Sequence, residues 1–199
     1  MTDERAPQIG GPDPDDNAPA LGGAAAVAHI ALTMNGADEL VRKTAVQRLE
    51  AIGGEQAVDV LIEALADESE LVVMHTIIAL GMLGSERATP ALAAKWESLT
   101  LLNYRMAVAF DRIGDPRAID VLAEPLKPQP GESYTAALCI AVLLKLARTA
   151  PAALRERALT GLVRHTARYA HTQLLLLWPG REAAIAHAAG LLAAGHPRS

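Results

Sequence analysis

The sequence predicts an all-α solenoid, a stack of about five antiparallel helix pairs, and three observations lead to this fold class. A phrase of ten residues occurs three times, with its first glycine at Gly53, Gly84 and Gly114. These glycines lie 31 and then 30 residues apart, a period typical of solenoid repeats. Apolar residues recur at helical spacing, and no segment alternates as a strand would. Aromatic residues make up only 3% of the 199 residues, so small aliphatic residues with high helix propensity must build the core.

The chain begins with a segment unlike the rest. Residues 1–22 are rich in proline and aspartate: Pro7, Pro12, Pro14, Pro19, Asp13, Asp15 and Asp16. A segment with so little apolar surface cannot offset the entropy lost on ordering. We therefore expect residues 1–22 to form a disordered acidic tail and residues 23–196 to form the solenoid domain.

Three glycine-ending helices are the most regular elements. The glycine-ending helices are predicted at residues 41–52, 72–83 and 102–113. Residues 24–34 supply a partner helix before the first of them. In the first, one face carries the apolar side chains: Val41, Ala45, Leu49 and Ile52. Each terminal glycine is expected in the left-handed conformation that closes a helix, and Asp38 and Ser69 are expected N-caps. Pro116 suits the first turn of the next helix.

A second helix completes each unit. In the first unit it runs through Val58, Leu61 and Leu65, and Leu92 and Leu122 are the counterparts of Leu61. The repeat then drifts, as expected of end repeats. Further helices are predicted at residues 134–147, 152–166 and 169–178, followed by a final alanine-rich helix.

Charge and cysteine content restrict the class of protein. The net charge of −5 gives no overall attraction to a polyanion, although residues 150–199 are mildly basic. The single cysteine, Cys139, lies in an apolar run and is expected to be a small buried hydrophobe. No apolar run approaches the ~20 residues that span a bilayer, and no secretory signal is visible. We therefore expect a cytoplasmic protein without membrane contact.

The repeated phrase resembles a known repeat family. Val41-Arg42-x-x-Ala45-Val46 followed by Leu49-x-x-Ile52-Gly53 is similar to the HEAT repeat, in the short form known from phycobilisome lyases. The loop at Ile113-Gly114-Asp115-Pro116-Arg117-Ala118 is especially close to that form. The resemblance covers residues 38–123 and implies a right-handed α-solenoid whose glycine-ending helices line the concave face. It implies also that Arg42 bridges to an acidic loop of a neighbouring repeat.

The glycine-ending helices carry an unusual face opposite their core side. A surface helix should be polar there, but the second helix is apolar and the third is partly so. An exposed apolar patch usually marks an interaction site, and Met is common at binding surfaces. The predicted partner-binding residues are Met74, Ile78, Met82, Tyr104, Val108, Arg105, Arg112 and Lys43. Strong curvature or a homodimer that buries these side chains is the alternative.

Catalytic and metal-binding patterns are weak. The six histidines are scattered, no histidine is followed by glutamate, and no metal or other cofactor is expected. There is no nucleophile elbow or phosphate-binding glycine loop. One basic tract could bind phosphate locally, or could be the solvated face of an end helix: Arg155, Arg157, Arg164 and Arg168.

A binding role is therefore the leading functional hypothesis. We expect a non-enzymatic scaffold or adaptor that holds a peptide or helix of another protein against the concave face. The alternative, implied by the resemblance, is a bilin-lyase-like protein that handles a chromophore or other apolar ligand. A glycosylase-like role in nucleic-acid binding ranks third.

Overall fold

Helices make up the ordered framework of the chain. The computed structural model describes residues 23–35, 38–128 and 131–169. Within these residues the α-helices are α1 Gly23–Met34, α2 Glu39–Ile52, α3 Gly54–Ala64, α4 Glu70–Leu83, α5 Thr89–Lys95, α6 Asn103–Ile113, α7 Ile119–Leu122, α8 Glu132–Ala147 and α9 Ala152–Tyr169. Short 3₁₀ turns precede α5, α6 and α7.

The helices pack in two layers. The glycine-ending helices α2, α4 and α6 lie side by side with α8 in one layer, here called the inner layer. The outer layer contains α1, α3, α5, α7 and α9, each packed against a helix of the inner layer. Successive inner helices pack against one another and the outer helices cover them, which confirms the predicted all-α repeat architecture. The stacking explains why a single 30-residue unit is stable only beside its neighbours.

The predicted helix ends agree with the structure at four positions. An Oδ1 atom of Asp38 accepts the Leu40 N–H at 2.8 Å, and Ser69 Oγ accepts the Val72 N–H at 3.5 Å. Gly84 has φ 66° and ψ 19°, and Gly114 has φ 75° and ψ 10°. Both glycines are left-handed, which closes α4 and α6 as predicted.

Gly53 differs from this pattern, so the prediction of a left-handed cap is wrong there. Its φ is 68°, but its ψ is −163°. This region of backbone space is open essentially to glycine alone. The second glycine, Gly54, begins α3 at once, and the extended ψ turns the chain without the linker that follows Gly84 and Gly114.

The outer helices also depart from the expected regularity. Pro116 opens a 3₁₀ turn, and the Asp115 side chain caps this turn by accepting the Arg117 N–H at 2.9 Å. The α-helix that follows is short and ends at Leu122, because Pro125 cannot donate to a continuing helix. In contrast, α9 extends to residue 169 instead of ending at residue 166.

One continuous core joins the two layers. Its aromatic centre is Phe110 on α6, which is fully buried and lies 6.0 Å from the Trp96 ring in a tilted arrangement. Aliphatic side chains fill the rest, including the fully buried Leu49, Ile77, Leu80 and Leu143. The low aromatic content is therefore compensated by close packing of Ala, Leu, Val and Ile.

Ion pairs connect successive units along the stack. The Arg42 guanidinium donates to both carboxylate oxygens of Asp67, at 2.8 and 2.9 Å, which confirms the bridge to an acidic loop. The hydrogen bonds from Arg42 lower the pKa of Asp67. Further ion pairs join residues about 30 to 40 positions apart: Arg87 with Glu55 and Asp59, Lys127 with Glu97, Lys145 with Asp111, Arg157 with Asp120, and Arg164 with Glu124.

Several sequence predictions fall beyond the described segments. The acidic tail at residues 1–22, the helix predicted at 169–178 and the final alanine-rich helix lie outside the described residues. In the described part of the chain, no helix combines the length and apolar character needed to cross a bilayer.

Cys139 should be chemically inert in the folded protein. The thiol is fully buried in α8, and burial raises its pKa to about 12. Since the thiolate is the reactive form, we expect iodoacetamide at about pH 8 to leave the native protein unmodified and to label it fully in guanidinium. Mass spectrometry measures the adduct. Labelling of the native protein at the rate of the unfolded chain would contradict this burial.

Candidate functional site

A cleft lies on the exposed face of the inner layer, between α4 and α6. Its volume is about 260 Å³. Three residues of α4 and five of α6 line it: Ile77, Ile78, Gly81, Tyr104, Arg105, Val108, Ala109 and Arg112. The cleft is apolar in the middle and carries arginine at two of its edges.

Small residues create the cleft. Gly81 faces Ala109, and a Cβ atom placed on Gly81 would lie 2.9 Å from Ala109 Cα and 3.0 Å from Ala109 Cβ. Only glycine allows α4 and α6 to approach so closely. Because neither residue extends beyond a methyl group, the surface dips between the larger side chains of Ile78, Tyr104 and Val108.

The structure brings together five of the eight predicted binding residues. Ile78, Tyr104, Arg105, Val108 and Arg112 all line the cleft. Tyr104 is 51% exposed, while Ile78 and Val108 are half-buried. Sequence reasoning did not assign Ile77 and Ala109 to this surface, because helical periodicity places both on the core side. Their side chains reach the cleft only because Gly81 leaves its floor open.

The other three predicted residues lie around the cleft rather than in it. Met74 is half-buried and packs against the core. Met82 is 53% exposed, and its sulfur contacts Nη1 of Arg112. Lys43, on α2, is half-buried beside His75 of α4. The eight predicted binding residues therefore divide into five that line a compact cleft and three that surround it.

The cations at the rim of the cleft differ from the paired cations of the stack. Several arginines and lysines of the stack reach carboxylates in other units, as described above. Lys43, Arg105 and Arg112 form no ion pair with a carboxylate of the described residues. The carboxylate of Asp111, next to Arg112, is already engaged by Lys145 at 2.8 Å. The rim thus presents three cationic side chains that no carboxylate of the described residues contacts as an ion pair, although Glu50 lies nearby.

His75 lies between two of these cations. Burial lowers its pKa, and the charges of Lys43 and Arg105 lower it further, while Glu50 acts in the opposite direction. Burial and the two neighbouring cations thus both favour the neutral imidazole. The positive charges near the cleft are those of Lys43 and the two arginines, and Glu50 supplies a negative charge nearby.

The remaining candidate features have structural partners. In the basic tract of α9, Arg157 pairs with Asp120 and Arg164 with Glu124, so these two guanidinium groups connect helices. His165 is buried, with Nε2 2.8 Å from the Leu122 carbonyl oxygen, and burial lowers its pKa. Across residues 23–35, 38–128 and 131–169, no three His, Cys, Asp or Glu side chains are grouped as a metal site would require.

Comparison with known families identifies the repeat. Residues 27–98 match the family of HEAT repeats. This segment of the chain is built of HEAT repeats. No curated protein matches its sequence.

The extent of the HEAT match bears on the cleft. The matched segment contains α2 to α5 and most of α1, and it ends before α6 begins at Asn103. The cleft therefore joins a helix of the matched HEAT repeats, α4, to a helix beyond the match.

Proposed function

We propose that this protein is a non-enzymatic scaffold or adaptor that binds a segment of another protein in the cleft between α4 and α6. The observation that carries the proposal is an accessible apolar surface where a helical solenoid would ordinarily be polar. Ile78, Tyr104 and Val108 form that surface on two adjacent helices. Apolar anchors surrounded by charged groups are typical of protein interfaces.

The size of the cleft favours a protein segment as the ligand. Pockets for small molecules and cofactors usually measure about 300–1,000 Å³ and enclose most of the ligand. The volume of about 260 Å³ is sufficient for one or two side chains of a peptide or helix. A bilin or a similar chromophore would extend well beyond it, so the lyase-like alternative gains no support from the cleft.

The proposal is tested by placing charge in the cleft. The double variant Ile78→Glu with Tyr104→Glu puts one carboxylate on each helix, and buried unpaired charge opposes an apolar contact. We expect the full-length variant to lose its partner from cell extracts of the source organism by about tenfold or more, equivalent to ~1.4 kcal/mol. Quantitative mass spectrometry of affinity-purified wild type and variant measures the loss.

The matched control is a pair of exposed aliphatic residues on the outer layer. Leu32 on α1 and Val163 on α9 are 71% and 51% exposed. Leu32→Glu with Val163→Glu adds the same charge without touching the cleft, and should keep the partner. Circular dichroism establishes that both double variants are folded. A partner retained equally by the two variants would remove the cleft from the binding surface.

A further inference from the structure

We propose that the acidic N-terminal segment of the same chain, residues 1–22, binds in the cleft between α4 and α6. The cleft would then have an internal occupant that any outside partner must displace. Three observations support this: the place where the described chain begins, the length of the segment, and the complementary charges of segment and rim.

The segment starts at the correct end of the inner layer. It joins α1 at Gly23, and a Cβ atom placed on Gly23 would lie 4.0 Å from Cγ2 of Ile52, the last residue of α2. The last turns of α2, α4 and α6 lie at the same end of the layer, since these helices are parallel in successive repeats. Arg112 is in the last turn of α6. The segment therefore leaves the fold at the end of the layer where Arg112 lies.

The segment is long enough to reach the cleft. Neighbouring packed helices are about 8–10 Å apart, so α6 lies about 20 Å from α2. An extended chain covers roughly 3.3 Å per residue. Asp16 and Asp13 precede Gly23 by seven and ten residues, which corresponds to roughly 23 and 33 Å of reach. The path also crosses from α1 in the outer layer to the inner layer, so Asp13, with the longer reach, is the aspartate that can arrive at Arg112. The residues before it can continue towards Arg105.

The charges of the two surfaces are complementary. Residues 1–22 contain five carboxylates and one arginine. The rim presents Lys43, Arg105 and Arg112, whose side chains form no ion pair with carboxylates in the described ranges. Glu50 on α2 opposes such an approach, which favours the α6 side of the cleft. Charge-assisted contacts at this rim would hold the segment across the apolar surface.

The segment also contains an apolar side chain at a suitable distance. Ile9 precedes Asp13 by four residues. With the aspartates near the two arginines, Ile9 can extend over Ile78 and Val108. A tethered occupant has a high effective concentration, so even weak contacts of this kind would occupy the cleft.

A nitroxide label on the segment tests the proposal in the full-length chain. Asn17→Cys provides one reactive thiol, because Cys139 is buried with a pKa of about 12. We expect the label to broaden the methyl NMR signals of Ile78 and Val108 and to leave those of Val163, on the outer layer, unchanged. Absence of broadening at both cleft residues would overturn the proposal.

Charge exchange provides the control for specificity. Arg105→Glu with Arg112→Glu should abolish the broadening, and further substitution of Asp13, Asp15 and Asp16 by lysine should restore it. Broadening that persists unchanged after the arginine substitutions would contradict the proposed contact. In a mixture of isotope-labelled protein without nitroxide and unlabelled protein with nitroxide, no broadening is expected. Broadening in that mixture would show that a second copy supplies the segment, and the intramolecular form would fall.

Discussion

Phe110→Ala should lower the free energy of unfolding by about 3–5 kcal/mol, the usual loss when a buried phenylalanine is truncated. Phe110 is the single phenylalanine of the chain and has no exposed surface. It lies on the core side of α6 and contacts the ring of Trp96, so the substitution removes apolar contact and leaves a cavity. The cavity should stay open, because α6 packs against both α4 and α8 and a shift of α6 to fill it would disturb both contacts.

Urea unfolding followed by circular dichroism measures this loss. The matched control is Leu101→Ala, just before α6, where the side chain is 67% exposed. Its expected change is within about 0.5 kcal/mol, as for other surface substitutions. A loss below about 1 kcal/mol for Phe110→Ala would show that α6 is not the centre of the core.

The repeated glycines explain why so much of the fold is predictable from sequence. A period of about thirty residues, together with the apolar faces ending at Gly53, Gly84 and Gly114, defines the helix pairs and their stacking. Caps such as Asp38 and Ser69 depend on local backbone geometry, which short sequence patterns describe well. These local and repeated features agree with the structure.

Features that depend on how two helices approach each other were harder to predict. Gly53 was expected to resemble Gly84, but its ψ is extended because α3 begins at the next residue. The floor of the cleft depends on the close approach of Gly81 to Ala109. Helical periodicity gives the direction of a side chain, but it does not give the distance between neighbouring helices.

The candidate site was likewise predictable in part from the sequence. The sequence predicted an apolar stripe from Met74 to Val108, and the structure gathers Ile78, Tyr104 and Val108 in one cleft. Met74 is half-buried and packs against the core, so it belongs only in part to the exposed apolar surface. Whether the cleft binds a partner is a prediction that the experiments above address.

A second large effect is expected where α9 meets α7. A Cβ atom placed on Gly161 would lie 2.5 Å from Ala123 Cα and 2.6 Å from Ala123 Cβ. Both atoms belong to or adjoin the backbone, so neither can rotate away. We therefore expect Gly161→Val to cost about 3 kcal/mol, near the upper end for overpacked cores.

The loss should be local, because each unit of a solenoid contacts only its neighbours. A displaced α9 would lose the hydrogen bond between His165 and the Leu122 carbonyl, as well as the packing of Leu159 and Leu162. Hydrogen exchange should therefore accelerate in α7 and α9 while α2 and α4 keep their protection. Gly23→Val is the control, since its nearest neighbour is a side-chain methyl at 4.0 Å. Equal protection of α9 in both variants would mean that the contact between Gly161 and Ala123 does not hold α9 in place.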